Sequence, residues 1–333
     1  MTTLRTTDTG DVVAETVYGA LRGPSGDLLP AESLPAHLAA GAAARRATIR
    51  NSARRSLARR RAATRLSHVL CALAVGICLV PLVALLAYTT SRGVRAVNLG
   101  FFTHDPTPPG IPGGGIRNAI AGSALTVGLG ALMAVPIGIA AALFLLERKG
   151  RLAATIRFGA DVLTGVPSIA IGIFAYVVLV EPLRHFSALA GSFALAVLML
   201  PIVIRASEAA MLAVPIELRE AALALGARRS RVARSVVLRG ALAGLVTGSL
   251  LAIARAVGET APLLFTSIGS QLFNLSPLQP TAAMPLVIYA DGTQAFPEAQ
   301  QIAWGTAFVL LALVLLLSIA ARIVSGRLAG RSR

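Results

Sequence analysis

Residues 215–239 read Pro215-Ile-Glu-Leu-Arg-Glu220-Ala-Ala-Leu-Ala-Leu225-Gly-Ala-Arg-Arg-Ser230-Arg-Val-Ala-Arg-Ser235-Val-Val-Leu-Arg239. Leu218, Ala221, Ala222 and Leu225 recur at the three- and four-residue spacing that makes one face of a helix apolar, flanked by Glu217, Arg219 and Glu220. Pro215 suits a first turn and Gly226 a helix C-terminus, so a short amphipathic helix is expected to end there. A second, basic helix is expected from Ser230 to Leu238. A helix pair whose apolar stripe has no evident cover in its own chain either docks into a groove on a partner or lies in a lipid interface.

On both sides of this loop, placed at residues 205–239, the chain is apolar. Six stretches, about 67–88, 119–146, 158–181, 187–204, 240–263 and 302–322, each approach the ~20 residues that cross a bilayer as a helix. The whole sequence is 55% hydrophobic and 14% charged, with a mean hydropathy of +0.73, which is not a soluble composition. Long apolar runs exclude a β-barrel, whose strands are short and alternating. The expected fold class is therefore an all-α membrane protein with six transmembrane helices. Pro136 and Pro167 fall inside the second and third stretches, tolerable where neighbouring helices satisfy the freed carbonyls.

A net charge of +16 would, on a soluble chain, raise the question of nucleic acid. Its distribution answers otherwise. With the N-terminus placed inside, 26 of the 31 Lys and Arg fall on the cytoplasmic side. Only Arg92, Arg95, Arg117 and Arg184 lie outside, and residues 264–301 contain no Lys or Arg. The positive-inside rule then predicts both termini in the cytoplasm. Residues 1–40 have a disorder-like composition, and residues 41–66 carry nine Arg without an acid, a strip that reads as a topogenic anchor or as one lying on anionic lipid. Residues 1–66 are thus expected to be a disordered then basic cytoplasmic extension, 67–328 a six-helix domain, and 329–333 a basic tail. The first apolar run starts too late for a cleaved signal peptide. Outside, residues 89–118, with Gly113-Gly-Gly115, are expected to be loop, and Ala282–Ala290 a re-entrant segment or a plug on the outer mouth.

One basic residue has no topological reason. Arg255 lies 14 residues beyond Ala241, roughly 21 Å along a helix and well inside the ~30 Å hydrocarbon layer, where a charge persists only if paired or facing a polar path. Glu259 is four residues on, followed by Thr260. The Arg255–Glu259 pair either neutralises a strut between helices or faces a central pathway, where guanidinium can receive an oxyanion in its planar fork. Elsewhere, Asp161 is expected to pair locally with Arg157, and Glu208 with Arg205. Cys71 and Cys78 read as small helix residues and His68 and His185 as span-edge residues, so no metal site is expected.

Glu220-Ala221-Ala222, three residues, Gly226, nine residues, Val236 and Leu238 resemble the cytoplasmic signature of permease subunits of bacterial ABC importers. The signature usually closes with Leu-Pro, whereas here Arg239 follows Leu238, which leaves open whether the chain bends before span five. Arg255-Ala-Val-Gly-Glu-Thr-Ala-Pro-Leu-Leu-Phe265 is similar to the fifth span of phosphate importer permeases of the PstA type. The likeness includes Gly113 to Ile120, Asp161 to Ser168, Leu200 through Glu208, and Met284 to Tyr289, so that it covers roughly residues 66–328. The resemblance implies the type I ABC importer permease fold. It implies coupling to an ATPase through Leu218, Glu220, Ala221, Ala222, Leu225 and Gly226, with Arg255, Glu259 and Thr260 on the substrate pathway. It also implies a second homologous permease subunit, two copies of an ATPase subunit and an extracytoplasmic phosphate-binding protein, in a bacterial inner membrane.

This chain carries no Walker loop: Gly113-Gly-Gly115 lacks the Lys-Ser/Thr ending, so ATP and Mg belong to the partner ATPase and no cofactor is expected here. An intramembrane enzyme would need a nucleophile and base that Arg255 and Glu259 do not supply. The Arg-rich strip lacks the interleaved aromatics of a nucleic-acid binder, and an ion-coupled secondary carrier, which commonly shows an internal repeat, stays as the rival class. An importer permease for another oxyanion is the nearer alternative.

Overall fold

A computed structural model describes residues 36–108 and 110–330. Among them every regular element is helical, with an isolated bridge between Ile268 and Thr281, as the apolar runs predict. The elements are α1 (Ala36–Gly93), α2 (Leu99–Thr103), α3 (Arg117–Glu147), α4 (Arg151–Gly165), α5 (Ser168–Leu183), α6 (Ala188–Leu212), α7 (Ile216–Ala224), α8 (Arg229–Val257), α9 (Ala261–Thr266), α10 (Met284–Gly292) and α11 (Pro297–Gly330). The described residues up to Val83 and those from Ala84 onward fall into separate units, and α1 runs through the boundary. Residues 1–35 lie outside the described residues, and with them most of the expectation of disorder; residues 36–40 are helical. In the basic strip Arg60 and Arg65 are exposed.

Among the described residues five helices are long and apolar enough to cross a membrane: the Ala63–Gly93 part of α1, then α3, α6, α8 and the Pro297–Arg327 part of α11. The third expected span is not one helix. It breaks into α4 and α5, bent by 108°. Pro167 has no N–H and its ring clashes with the carbonyl four residues back, while Val166 before it is pushed to an extended ψ of 131°. Pro136 and Pro201, by contrast, sit inside unbroken α3 and α6.

The broken pair still traverses the bundle. Near its start, Arg157 Nη2 donates to the Leu145 carbonyl in the last turn of α3 at 2.9 Å. Past its far end, the Ser187 and Ala188 amides donate to the Thr266 and Gln279 carbonyls, in a segment that meets the first turns of α3. There Asn118 Nδ2 donates to the Ser270 carbonyl at 2.7 Å and the Met284 amide to Ser123 Oγ at 2.8 Å. The α4–α5 pair therefore runs from one end of α3 to the other, which makes six passes.

α6 is the hub, because small residues let its neighbours approach. Gly240, Gly244 and Gly248 of α8 face Val214, Ala210 and Ala206, one antiparallel stripe against another. A Cβ on Gly244 would come 2.5 Å from the Ala210 Cβ, and one on Gly248 2.4 Å from the Ala206 Cβ. In lipid, where apolar burial adds little between helices, such close backbone approach is what holds them. Gly244→Ala is accordingly expected to lose roughly 1–3 kcal/mol, a lower melting midpoint in detergent, and Ala210→Gly in the same chain to restore most of it. An unchanged midpoint in the single variant would rule out this contact as a determinant.

α4 and α6 are joined by charge. Arg205 grips Asp161 with a two-bonded fork, its Nε donating to Oδ1 at 2.9 Å, and its Nη1 donates to Glu208 Oε2 at 3.0 Å. Arg157 Nε donates to Glu208 Oε1 at 2.8 Å, and Glu208 is buried. The Arg205–Glu208 pair is as the spacing predicts, whereas Asp161 pairs across helices with Arg205 instead of locally with Arg157. A fork between facing helices makes two charge-assisted bonds where a turn-spaced pair makes a weaker one.

Two further boundaries move. Arg205 and Glu208 belong to α6, so the connection between α6 and α8 is residues 213–228, shorter than 205–239. The expected basic helix from Ser230 merges into α8 through a π turn at Ala233–Val237, so no bend precedes the span where Arg239 replaces the usual proline. Of the two segments expected to lie outside, residues 89–118 hold the end of α1, the short α2 and the first residues of α3 as well as loop. Ala282–Ala290 becomes mostly α10, buried at Met284, Pro285 and Leu286, with Tyr289 exposed.

Candidate functional site

α8 ends at Val257, sooner than the apolar run to residue 263 predicts. Gly258, Glu259 and Thr260 form a break, closed by bonds from the Gly258 amide to the Arg255 carbonyl and from the Glu259 amide to the Ala256 carbonyl. α9 restarts with Pro262 in its first turn and packs on α5, where a Cβ on Gly172 would fall 2.8 Å from the Pro262 Cα. The break after α8 and the break before α5 are thus brought close by the two half-helices that follow them. Discontinuous helices of this kind open backbone groups at depth, which is tolerated where they are buried in protein or line a watery cavity.

Arg255 sits at this break, in the last turn of α8, where helix carbonyls favour a cation. Its neighbours Ala254 and Ala256 are buried, while its own side chain is 62% exposed, on the face of α8 shared with exposed Leu251. Glu259 is the partner the sequence predicts, but it lies beyond the helix and its Oε1 is 3.7 Å from Arg255 Nε, outside hydrogen-bonding range. Thr260 is half-buried beside it. A tight strut would resemble the Arg157–Glu208–Arg205 cluster, short and bonded. This pair is loose, and the Arg255 side chain stays largely exposed.

At the other functional region, α7 has the predicted extent, and Gly226 ends it with φ +81°. The Gly226 amide donates to the Leu223 carbonyl at 2.9 Å and the Ala227 amide to the Ala222 carbonyl at 3.2 Å, the paired bonds of a Schellman cap. Leu218, Glu220, Ala221 and Leu225 are exposed, Leu225 at 89%, and none of the described residues covers them. Ala222 is half-buried and turned toward the chain with Arg219, whose Nη2 donates to the Met211 carbonyl at the end of α6. Spacing alone missed Ile216 and Leu223, which extend the exposed apolar surface, and Arg219, which ties α7 to α6. Among the described residues no group of His, Cys, Asp or Glu could hold a metal ion.

Residues 134–330 match the family model of the binding-protein-dependent transport system inner membrane component. The phosphate transport system permease protein PstA of Yersinia pestis is 42% identical over 245 residues, 73% of this chain and 83% of that protein. The protein of the same name in Haemophilus influenzae is 42% identical over 235 residues, 70% and 83% of the two chains. PstA 1 of Mycobacterium tuberculosis is 38% identical over 254 residues, 74% and 82%. Among solved structures, a chain of the inward-facing MetNI methionine ABC transporter superposes with a TM-score of 0.52 at 21% identity, covering 64% of this chain and 95% of that one, a likeness of fold. The broken, six-pass helical architecture and these relatives agree: the chain belongs to the binding-protein-dependent transport system inner membrane component family, where its relatives are phosphate transport system permease proteins.

Proposed function

We propose that this chain is the permease subunit of an ATP-driven phosphate importer, forming half of the translocation pathway in a bacterial inner membrane with both termini cytoplasmic. The observation that carries this reading is the 42% identity to phosphate transport permeases across 83% of their length. In the proposed assembly it pairs with a second permease of similar fold and with two ATPase subunits that hold ATP and Mg, and it receives phosphate from an extracytoplasmic binding protein. This chain itself hydrolyses nothing. α7, with Leu218, Glu220, Ala221, Ala222 and Leu225 set by the Gly226 cap, docks on the ATPase. Closure of the ATPases moves α7, and the Arg219 tie passes that motion to the end of α6. Arg255, with Glu259 and Thr260 beside it, faces the pathway and meets the phosphate oxygens.

The test is a reconstituted complex of the four kinds of subunit in liposomes. Phosphate-loaded binding protein is expected to stimulate ATP hydrolysis several-fold and to drive phosphate accumulation that sulfate does not inhibit. Stimulation with accumulation of a different oxyanion would overturn the substrate. Accumulation driven by an ion gradient without ATP would overturn the class.

A further inference from the structure

Between the loop 106–115 and the segments 264–271 and 282–302 lies a cavity of about 400 Å³, within the usual range of ligand pockets. Asp291 and Glu298 line it, with Gln271, Gln294 and Asn118, and no Lys or Arg does among the described residues. Asn118 is committed to the Ser270 carbonyl, and Arg117 nearby is held by Asp105 at 2.6 Å, so neither supplies a counter-charge. Glu298 has a local reason for its place, in the first turn of α11, where helix amides favour a carboxylate. Asp291 has none. It is in the last turn of α10, where helix carbonyls disfavour a negative charge, it is half-buried, and among the described residues no cation or hydrogen-bond donor meets its carboxylate. Burial raises the pKa of its carboxyl above the ordinary value. An uncompensated carboxylate at the rim of a cavity costs stability, and nothing among the described residues offsets it.

A cationic group would. The described residues offer no third carboxylate, His or Cys there to complete a metal site, and two carboxylates repel a phosphate. We propose that this cavity is a socket for a lysine or arginine side chain of the extracytoplasmic binding protein, seated between Asp291 and Glu298. It rests on the importer reading, which puts these loops on the outer face where that protein must land. The long aliphatic stem of such a side chain also matches the apolar part of the wall, Ile111, Leu286 and Ile302.

The complex in liposomes, titrated with its phosphate-loaded binding protein, tests this. Asp291→Asn with Glu298→Gln is expected to raise the concentration giving half-maximal ATPase stimulation by about tenfold at low salt while leaving the maximal rate unchanged. The difference is expected to shrink at about 0.5 M salt, where the screening length falls to a few ångströms. For a lysine in the socket, a carbodiimide on the unaltered complex is expected to join its amine to the Asp291 or Glu298 carboxyl, and a thiol-to-amine cross-linker on Asp291→Cys is expected to capture the binding protein as well. An unchanged titration in the double variant overturns the socket, as does loss of the second permease from the complex with docking intact. Failure of the unaltered complex to respond to any binding protein sinks the importer reading instead, so the two failures are distinguishable.

Discussion

Replacing Gly226 by valine is expected to leave the complex assembled and its ATPase active, while phosphate uptake per ATP hydrolysed falls by about tenfold or more. Gly226 sits at φ +81°, a region in which a β-branched residue is an outlier, and both bonds of the cap that ends α7 depend on that conformation. Beyond its own chain neighbours, no described atom lies within 4 Å of a Cβ placed there, so packing against other parts of the chain does not oppose a side chain at this position. The whole effect must come through the backbone. If the cap frays, Leu225 and Leu223 leave the positions in which α7 presents them, and the docking surface of the helix is lost while the membrane helices remain packed. Gly226→Asn is the control, since asparagine tolerates the left-handed region, and it is expected to keep most of the uptake. Measured uptake and hydrolysis on the same liposomes decide it. Normal coupling in Gly226→Val would show that α7 transmits nothing.

The periodic features of this chain were readable from sequence, and its breaks were not. α3 departs from its apolar run by two residues at one end and one at the other, because lipid demands a continuous apolar surface and ~20 residues to cross it. α7 and its cap were legible for a related reason: spacing fixes one face, and a glycine after it fixes the stop. Pro167 and Pro136 look alike in sequence, yet one breaks a helix and the other does not. What differs is the partner: α5 packs on α9 through the bare backbone of Gly172, a contact made by a segment about 90 residues further on. The charge pairs teach the same lesson. Arg157 and Asp161 satisfy a local rule, but the approach of α6 supplies Arg205, whose fork outcompetes it. Asp291 had a faint signal, as an acid in a 38-residue stretch without Lys or Arg, whose meaning appears only once the cavity is seen.

The second large effect is at Arg255. Arg255→Gln is expected to lower phosphate uptake by ~10- to 100-fold, the loss of one or two charge-assisted hydrogen bonds to a bound anion, with the amount of assembled complex unchanged. The geometry separates this outcome from a structural one. A guanidinium serving as a strut would be buried and tightly bonded, so that its removal leaves a buried carboxylate unpaired and damages assembly. Arg255 is instead 62% exposed and 3.7 Å from Glu259, so glutamine in its place deprives Glu259 of a loose neighbour and little else. Yet a charge on an outward face within the membrane is tolerable only where that face meets a polar space. The position at a break between half-helices, next to α9 and α5, is where such a space can form. Arg255→Lys is expected to recover uptake only in part, because an ammonium keeps the charge and loses the planar fork that meets two oxyanion oxygens at once. Glu259→Gln should do the reverse of Arg255→Gln on binding, freeing the guanidinium and tightening the hold on phosphate, while slowing release. Loss of complex assembly in Arg255→Gln, with Arg255→Lys restoring it fully, would assign Arg255 to a strut between subunits and remove it from the pathway.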